Sequence, residues 1–318
     1  VLIYTVGLLS MAFVVTESGI FFGQILIGMG LGSAGISIAV GAVARAAPPE
    51  KRSLAMGLVT SFGSFGQFAL VPVAQIMMNE HGWQFAIVIL SAIVASMVAV
   101  TLGMRVPAGR ARPLEGITQT AGSALRQATG SRDYILLTIG FFVCGLQLVF
   151  ITTHLPTYLQ DAGLNAEIAS WSLALIGLFN IIGAFVCGWL GGIVSKKKTL
   201  AIVYLLRGLI IAAFISLPAS PATALFFGAA MGLLWLGTIP LTSGLILAFF
   251  GPRHLSMLYG LVFLSHQIGS FAGAWLGGIW YDIFGNYEAM WWLNAAAGFF
   301  AFAVNWAIRE PKPAAVPA

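Results

Sequence analysis

Long apolar runs broken by polar interruptions fill this chain from Val1 to Ile308. A bilayer core needs roughly 20 apolar residues per helix, and ten stretches qualify, numbered here spans 1 to 10: about 1–16, 19–44, 54–78, 84–104, 135–159, 168–194, 199–217, 222–249, 256–281 and 289–308. The interruptions alternate in kind. One kind carries Lys and Arg: Arg45, Lys51 and Arg52; Arg105, Arg110, Arg112, Arg126 and Arg132; Lys196 to Lys198; Arg253; Arg309 and Lys312. The other holds Glu17, Glu80, Asp161, Glu167, Asp282 and Glu288 with no Lys or Arg. Basic loops stay cytoplasmic while acidic residues carry little topological weight, so the alternation predicts which side each loop faces. Of the 15 basic residues, only Arg207 breaks the pattern, because it lies inside span 7.

Composition turns the pattern into a fold class. With 59% hydrophobic residues, 8% charged residues and a mean hydropathy of +0.95, the chain has too little polar surface to wrap a soluble globule. An all-α polytopic membrane protein with the lipid bilayer as its solvent is expected. The net charge of +5 does not point to nucleic acid, since the basic residues sit in short loops and form no aromatic-interleaved face. Cys144 and Cys187 fall inside apolar spans and read as small core residues, with no disulfide framework and no metal site. No cofactor is expected, and no Gly-x-x-x-x-Gly-Lys-Ser/Thr loop occurs. Enzyme chemistry at membrane depth would need a nucleophile with a base or a metal cluster, and four scattered His with two buried Cys give no such spacing.

A repeat organises the spans. Shifting the chain by 203 residues lays span 3 on span 9, so that Pro49, Ser53, Gly57, Gly66, Phe68 and Gly82 meet Pro252, Ser256, Gly260, Gly269, Phe271 and Gly285. Coincident Pro and Gly positions demand shared backbone geometry. The halves lie six helices apart, an even number, which makes them parallel repeats about an axis along the membrane normal. The expected domains are an N-terminal bundle at 1–104 with four spans, a Pro-, Gly- and Arg-bearing cytoplasmic linker at 105–134, a C-terminal bundle at 135–308 with six spans, and a cytoplasmic tail at 309–318. On this register Val1 faces Tyr204. The expectation is therefore twelve helices in the intact protein, an N-terminally truncated chain, and no transport by the truncated chain.

Six plus six helices with parallel repeats resemble the major facilitator superfamily of secondary transporters. Gly188-Trp-Leu-Gly-Gly-Ile-Val-Ser-Lys-Lys-Lys198 is similar to its signature loop, Gly-x-x-x-Asp-Arg-x-Gly-Arg-Arg, with Gly192 standing where the acidic residue would be. Gly57 to Pro72 resembles the family's glycine-rich fifth helix, and Gln24 precedes Gly28-Met-Gly30 where many proton-driven members carry Arg. A narrower resemblance, to the bacterial monocarboxylate-transporter-like and oxalate/formate-antiporter-like branch, rests on His154-Leu-Pro-Thr-Tyr-Leu-Gln-Asp-Ala-Gly-Leu164, Tyr259-Gly260, His266-Gln-Ile-Gly269 and Tyr281-Asp-Ile-Phe-Gly-Asn-Tyr287. The resemblance implies secondary active transport of a small organic anion by alternating access, with a proton as candidate co-solute. It implies residence in the inner (cytoplasmic) membrane. No obligatory protein partner is inferred. Efflux of amphipathic molecules and a non-transporting sensor are the alternatives.

Ionisable side chains in hydrocarbon are costly and therefore candidates for function. Three occur: His154 near the non-cytoplasmic end of span 5, Arg207 near the middle of span 7 and His266 near the middle of span 9. His266 is expected to bind a carboxylate or carry a proton, or to hydrogen-bond a neighbouring helix. His154 is expected to gate entry or to reach interfacial water. Arg207 is expected to bind an anion, to snorkel or to pair with a carbonyl. Gln267, Gln67, Gln147 and Asn180 either bridge helices or contact solute, and Trp235 either walls a cavity or packs the core. Gly269, Gly273 and Gly277, like Gly228 and Gly232, form small faces for close packing or for sliding. Pro72 and Pro240 each favour a kink.

Overall fold

The computed structural model describes residues 1–33, 43, 47–103 and 120–311. Arg45, Arg105, Arg110, Arg112, Lys312, the far end of span 2 and most of the linker lie outside them. Apart from a turn of 3-10 helix at Pro49–Lys51, the described elements are α-helices. They are α1 (Leu2–Phe13), α2 (Glu17–Ser33), α3 (Arg52–His81), α4 (Trp83–Gly103), α5 (Ala121–Thr129), α6 (Arg132–Asp161), α7 (Ala166–Ile193), α8 (Lys196–Ser216), α9 (Pro221–Leu234), α10 (Thr238–Phe250), α11 (Leu255–Phe284) and α12 (Glu288–Trp306). Among them α3, α6, α7, α8, α11 and the stretch Pro221–Phe250 are long and apolar enough to cross a membrane; α1, α2 and α4 are shorter apolar helices.

Local chemistry sets the boundaries. Asn165 Oδ1 accepts the Ile168 N–H at 2.9 Å to open α7, and Ser195 Oγ accepts the Lys198 N–H at 3.3 Å to open α8. Ser220 and Thr223 cap each other reciprocally ahead of α9, with Pro221 in the first turn, where its missing N–H goes unneeded. Gly285 ends α11 at φ +67, a left-handed conformation that a Cβ disfavours.

Span 8 falls on one membrane-length stretch, Pro221–Phe250, but the regular α-helix within it is interrupted at Trp235–Gly237 and resumes at Thr238. Pro240 then sits in the first turn of α10. It has no N–H to give to the Leu236 carbonyl, which instead accepts from the Ile239 N–H at 3.0 Å.

The chain clusters into two compact units, Val1–Ile38 with Pro72–Thr118, and Ala39–Val71 with Gln119–Ala318. In the first, α1 and α2 approach through glycine: a Cβ on Gly7 would come within 2.8 Å of the Ile27 amide nitrogen, and one on Gly30 within 2.6 Å of the Tyr4 Cβ. In the second, α11 lies on α6. A Cβ on Gly269 would run into the Phe142 carbonyl, on Gly273 into the Leu146 carbonyl and on Gly277 into the His154 ring. Gly228 meets the Ser172 carbonyl of α7 in the same way. These stripes are close-packing faces, as expected where lipid gives helices no hydrophobic drive to associate. Trp291, with no exposed surface, pins α12 by edge-on or tilted contact with Phe150, Phe214, Tyr158 and Phe227 at ring separations of 5.0, 5.3, 5.3 and 5.8 Å.

Candidate functional site

The break at Trp235–Gly237 is where polar side chains gather within the second unit. Ending α9 early frees the Leu234 and Trp235 carbonyls, which in an apolar interior must find donors or cost about 1–3 kcal/mol each. Arg207 supplies them from α8. Its Nε donates to the Leu234 carbonyl at 3.1 Å, and its Nη2 donates to the same oxygen at 2.7 Å and to the Trp235 carbonyl. Arg207 is fully buried, and its guanidinium lies 5.4 Å from the Tyr204 ring centre. Neither ion pair found among the described residues involves it. Its charge is balanced by the negative end of the α9 dipole and two carbonyls rather than by a carboxylate.

The far side of the break is capped from α7. Asn180 Oδ1 accepts the Leu236 N–H at 2.8 Å, while its Nδ2 donates to Ser64 Oγ of α3 at 2.6 Å. Cys144 of α6 completes the group: its thiol lies 3.4 Å from Arg207 Nη1 and 3.4 Å from Thr238 Oγ1, and it is within hydrogen-bonding reach of His266. His266 lies parallel to Phe263 at 5.1 Å, and its Nδ1 lies 3.1 Å from Gln267 Oε1, which can only accept. Of the expected site residues, Asn180, Arg207, Trp235, His266 and Gln267 thus fall around one place.

The other three lie elsewhere. Gln67 of α3 donates to the Leu173 carbonyl of α7 at 3.2 Å. It belongs to a face of α3 on which Ser61 donates to the Ile181 carbonyl at 2.8 Å and a Cβ on Gly57 would come within 2.8 Å of the Ala184 carbonyl. Gln147 turns away toward α12, where its Nε2 donates to the Asn294 carbonyl at 2.9 Å and its Oε1 is buried without a partner. His154 is 6% exposed, so it does not reach water as an interfacial histidine would. Its Nε2 donates to the Ala274 carbonyl of α11 at 2.9 Å; that fixes the tautomer, and Nδ1 accepts from the Tyr287 hydroxyl at 3.3 Å. The imidazole braces α6 against α11 and the turn before α12.

Sequence reasoning missed Cys144, Thr238 and Ser64. Cys144 read as a small core residue because its partners come from α8 and α10, far away in the chain. The Gly237-Thr-Ile-Pro240 run was the available signal for the break, since glycine followed by proline at this spacing marks a helix start.

The Major Facilitator Superfamily family model matches residues 1–238 and again 137–318. An uncharacterized MFS-type transporter, YcxA, of Bacillus subtilis (strain 168) is 28% identical over 246 residues, covering 74% of this chain and 59% of the relative. Monocarboxylate transporter 13 of Rattus norvegicus is 27% identical over 260 residues, covering 80% of this chain and 58% of the relative. The chain thus spans about three-fifths of the length of these relatives. Among solved structures, the E. coli fucose:proton symporter FucP superposes with a TM-score of 0.70 at 17% identity, over 98% of this chain and 82% of FucP. The proton:xylose symporter XylE gives 0.67 at 15% identity, over 97% of this chain and 78% of XylE. Both share the fold.

Proposed function

The chain belongs to the Major Facilitator Superfamily, and on that footing we propose that it is a multi-pass secondary transporter for a small organic anion, working by alternating access. The interrupted helix carries the reading. Non-helical backbone at membrane depth survives only where protein or a water-filled cavity satisfies it, and transporter sites are typically built around such breaks. Here the break is flanked by a buried guanidinium with no carboxylate partner among the described residues. The acidic residues of the described spans lie at helix ends. The resulting positive interior favours an anionic solute over a cationic one. The similarity to monocarboxylate transporters points the same way.

In this reading His266, with Cys144 and Gln267 around it, is the group placed to carry a co-transported proton. The bundles at 1–104 and 135–308, joined by the linker at 105–134, rock about the solute. The Lys- and Arg-bearing loops and the C-terminus face the cytoplasm, and the protein resides in the inner membrane.

Protein made from the whole reading frame and reconstituted in liposomes tests the proposal. Saturable uptake of a labelled short-chain monocarboxylate, accelerated by an inward proton gradient, is expected. Uptake of an amphipathic cation in its place would overturn the substrate class. Binding without flux of any solute would establish the sensor instead.

A further inference from the structure

One phenol separates a buried imidazole from an acid-lined opening. His154 lies about two turns before the end of α6, and the Tyr287 hydroxyl that donates to its Nδ1 at 3.3 Å belongs to a residue only 5% exposed. Tyr287 also lines a cavity of about 470 Å³, with Tyr158, Asp161, Asn286 and Glu288 among its other walls. Asp161, Asn286 and Glu288 are exposed, so the cavity meets solvent. The titratable groups that face the pair are Tyr158 and Asp161 on α6, Tyr281 and Asp282 on α11, and Glu288 on α12, while α8 contributes Ile215. None of these is basic.

The imidazole is held from three sides. Its Nε2 donates to the Ala274 carbonyl at 2.9 Å, its face rests on Gly277, where a Cβ would run into the ring, and Phe150 and Tyr287 flank it at 5.3 and 5.0 Å. Nδ1 therefore stays aimed at the Tyr287 hydroxyl. A neutral ring offers an acceptor there, whereas an imidazolium donates from both nitrogens. A proton gained at Nδ1 thus spares the bond to α11 and removes the acceptor that holds Tyr287. On its far side Tyr287 has its hydroxyl within hydrogen-bonding reach of Thr157 and its ring stacked at 4.6 Å on Tyr281, whose own hydroxyl reaches Asp161.

We propose that His154 is a proton-binding site loaded from this cavity through Tyr287, and that the bound proton releases the turn at Gly285–Tyr287 from α6. A hydronium ion in the cavity gives its proton to the phenol oxygen as the phenol O–H proton passes to Nδ1. Water is left behind, the phenol is regenerated and the imidazole becomes an imidazolium. The carboxylates of Asp161, Asp282 and Glu288 draw cations to the opening, and histidine is the side chain suited to exchange a proton near neutral pH. An imidazolium walled in by Phe150 and Gly277 is costly, a cost relieved when the turn moves aside and admits water. The inference takes from the proposed function only that this side is non-cytoplasmic. It sets a proton station apart from His266 and does not depend on the solute.

The first test is the acid limb of thermal stability. The purified chain is melted in maltoside detergent at pH 8 and pH 5 beside His154→Gln, whose amide keeps a donor and an acceptor but takes no proton. The unfolded chain protonates its solvated histidine without cost, so acid destabilises the parent. A fall about 2–4 °C larger in the parent than in the variant is expected. The second test follows the turn in protein made from the whole reading frame. A pH-insensitive, environment-sensitive maleimide on Asn286→Cys in liposomes is watched after an acid jump on the side that Asn286 faces, or on the opposite side. A signal is expected from the Asn286 side alone, absent in His154→Gln and at least about tenfold slower in Tyr287→Phe. The Tyr287→Phe rate decides the matter where His154→Gln fails to fold. Equal acid limbs in parent and His154→Gln, a response to acid on the opposite side, or an unchanged rate in Tyr287→Phe overturns the proposal. Labelling that places Asn286 in the cytoplasm would instead overturn the assigned side of the transporter and leave the proton site standing.

Discussion

Arg207 shows how one residue can be legible in kind but not in role. Its presence in a span marked it as costly, and pairing with a carbonyl was among its expected fates. Which carbonyls were available depended on a break in another helix. A lysine there keeps the charge but loses the planar fork that serves Leu234 and Trp235 together. Arg207→Lys is expected to lower the melting temperature, and Arg207→Met to lower it further, with a loss of about 2–5 kcal/mol, read by thermal or denaturant unfolding in detergent. Tyr287 offers a pH signature from the turn before α12. Burial, ahead of the nearby Tyr281, Asp161 and Asp282, raises its phenol above the ordinary 10.0, against a hydrogen bond to Thr157 that lowers it. The folded state therefore favours the neutral phenol. Its contribution is complete below pH 10 and is lost as pH climbs beyond, because the unfolded chain ionises first. Tyr287→Phe is expected to flatten part of the alkaline fall in melting temperature.

Among the elements, the interrupted α9–α10 helix and the glycine-striped α11 behave differently under substitution. Pro240→Ala restores a missing amide, but the break is also held from outside by Asn180 and Arg207. It is expected to change stability by no more than about 1 kcal/mol. Asn180→Ala strips the Leu236 amide of its acceptor and Ser64 of its donor. A stability loss of about 1–3 kcal/mol is expected, with a larger fractional fall in uptake rate than Gln147→Ala produces, since Gln147 points to α12. Equal falls in the two variants would argue against a role for the break in transport. In α11, a side chain at Gly273 meets the Leu146 carbonyl, which is backbone and cannot swing aside. Gly273→Leu is expected to cost about 3 kcal/mol or to prevent folding, read by size-exclusion recovery.

At the scale of the molecule, the expected orientation is open to direct measurement. Cysteines placed at Ser195 and Asn286, in a background lacking Cys144 and Cys187, are expected to react with an impermeant maleimide from opposite sides, Asn286 from outside. Labelling of Ser195 from outside would invert the topology. The positions of the helices were legible because hydrophobic length and polar caps act locally; over the described residues each expected span falls on a helix or, for span 8, on two. The grouping of Asn180, Arg207 and His266 was not legible, because it joins α6, α7, α8 and α11 across separations that no local pattern encodes.

The sequence by itself determined that this chain is helical, that lipid is its solvent and that it shares a superfamily, because apolar run length, loop charge and repeated Gly and Pro positions are local quantities read one residue at a time. Only the tertiary structure decided which polar groups satisfy one another. A carbonyl freed at Leu234 finds Arg207, a thiol at Cys144 joins them, and His154 meets the Tyr287 hydroxyl, because hydrogen bonds in a medium without water are settled by what is adjacent in space.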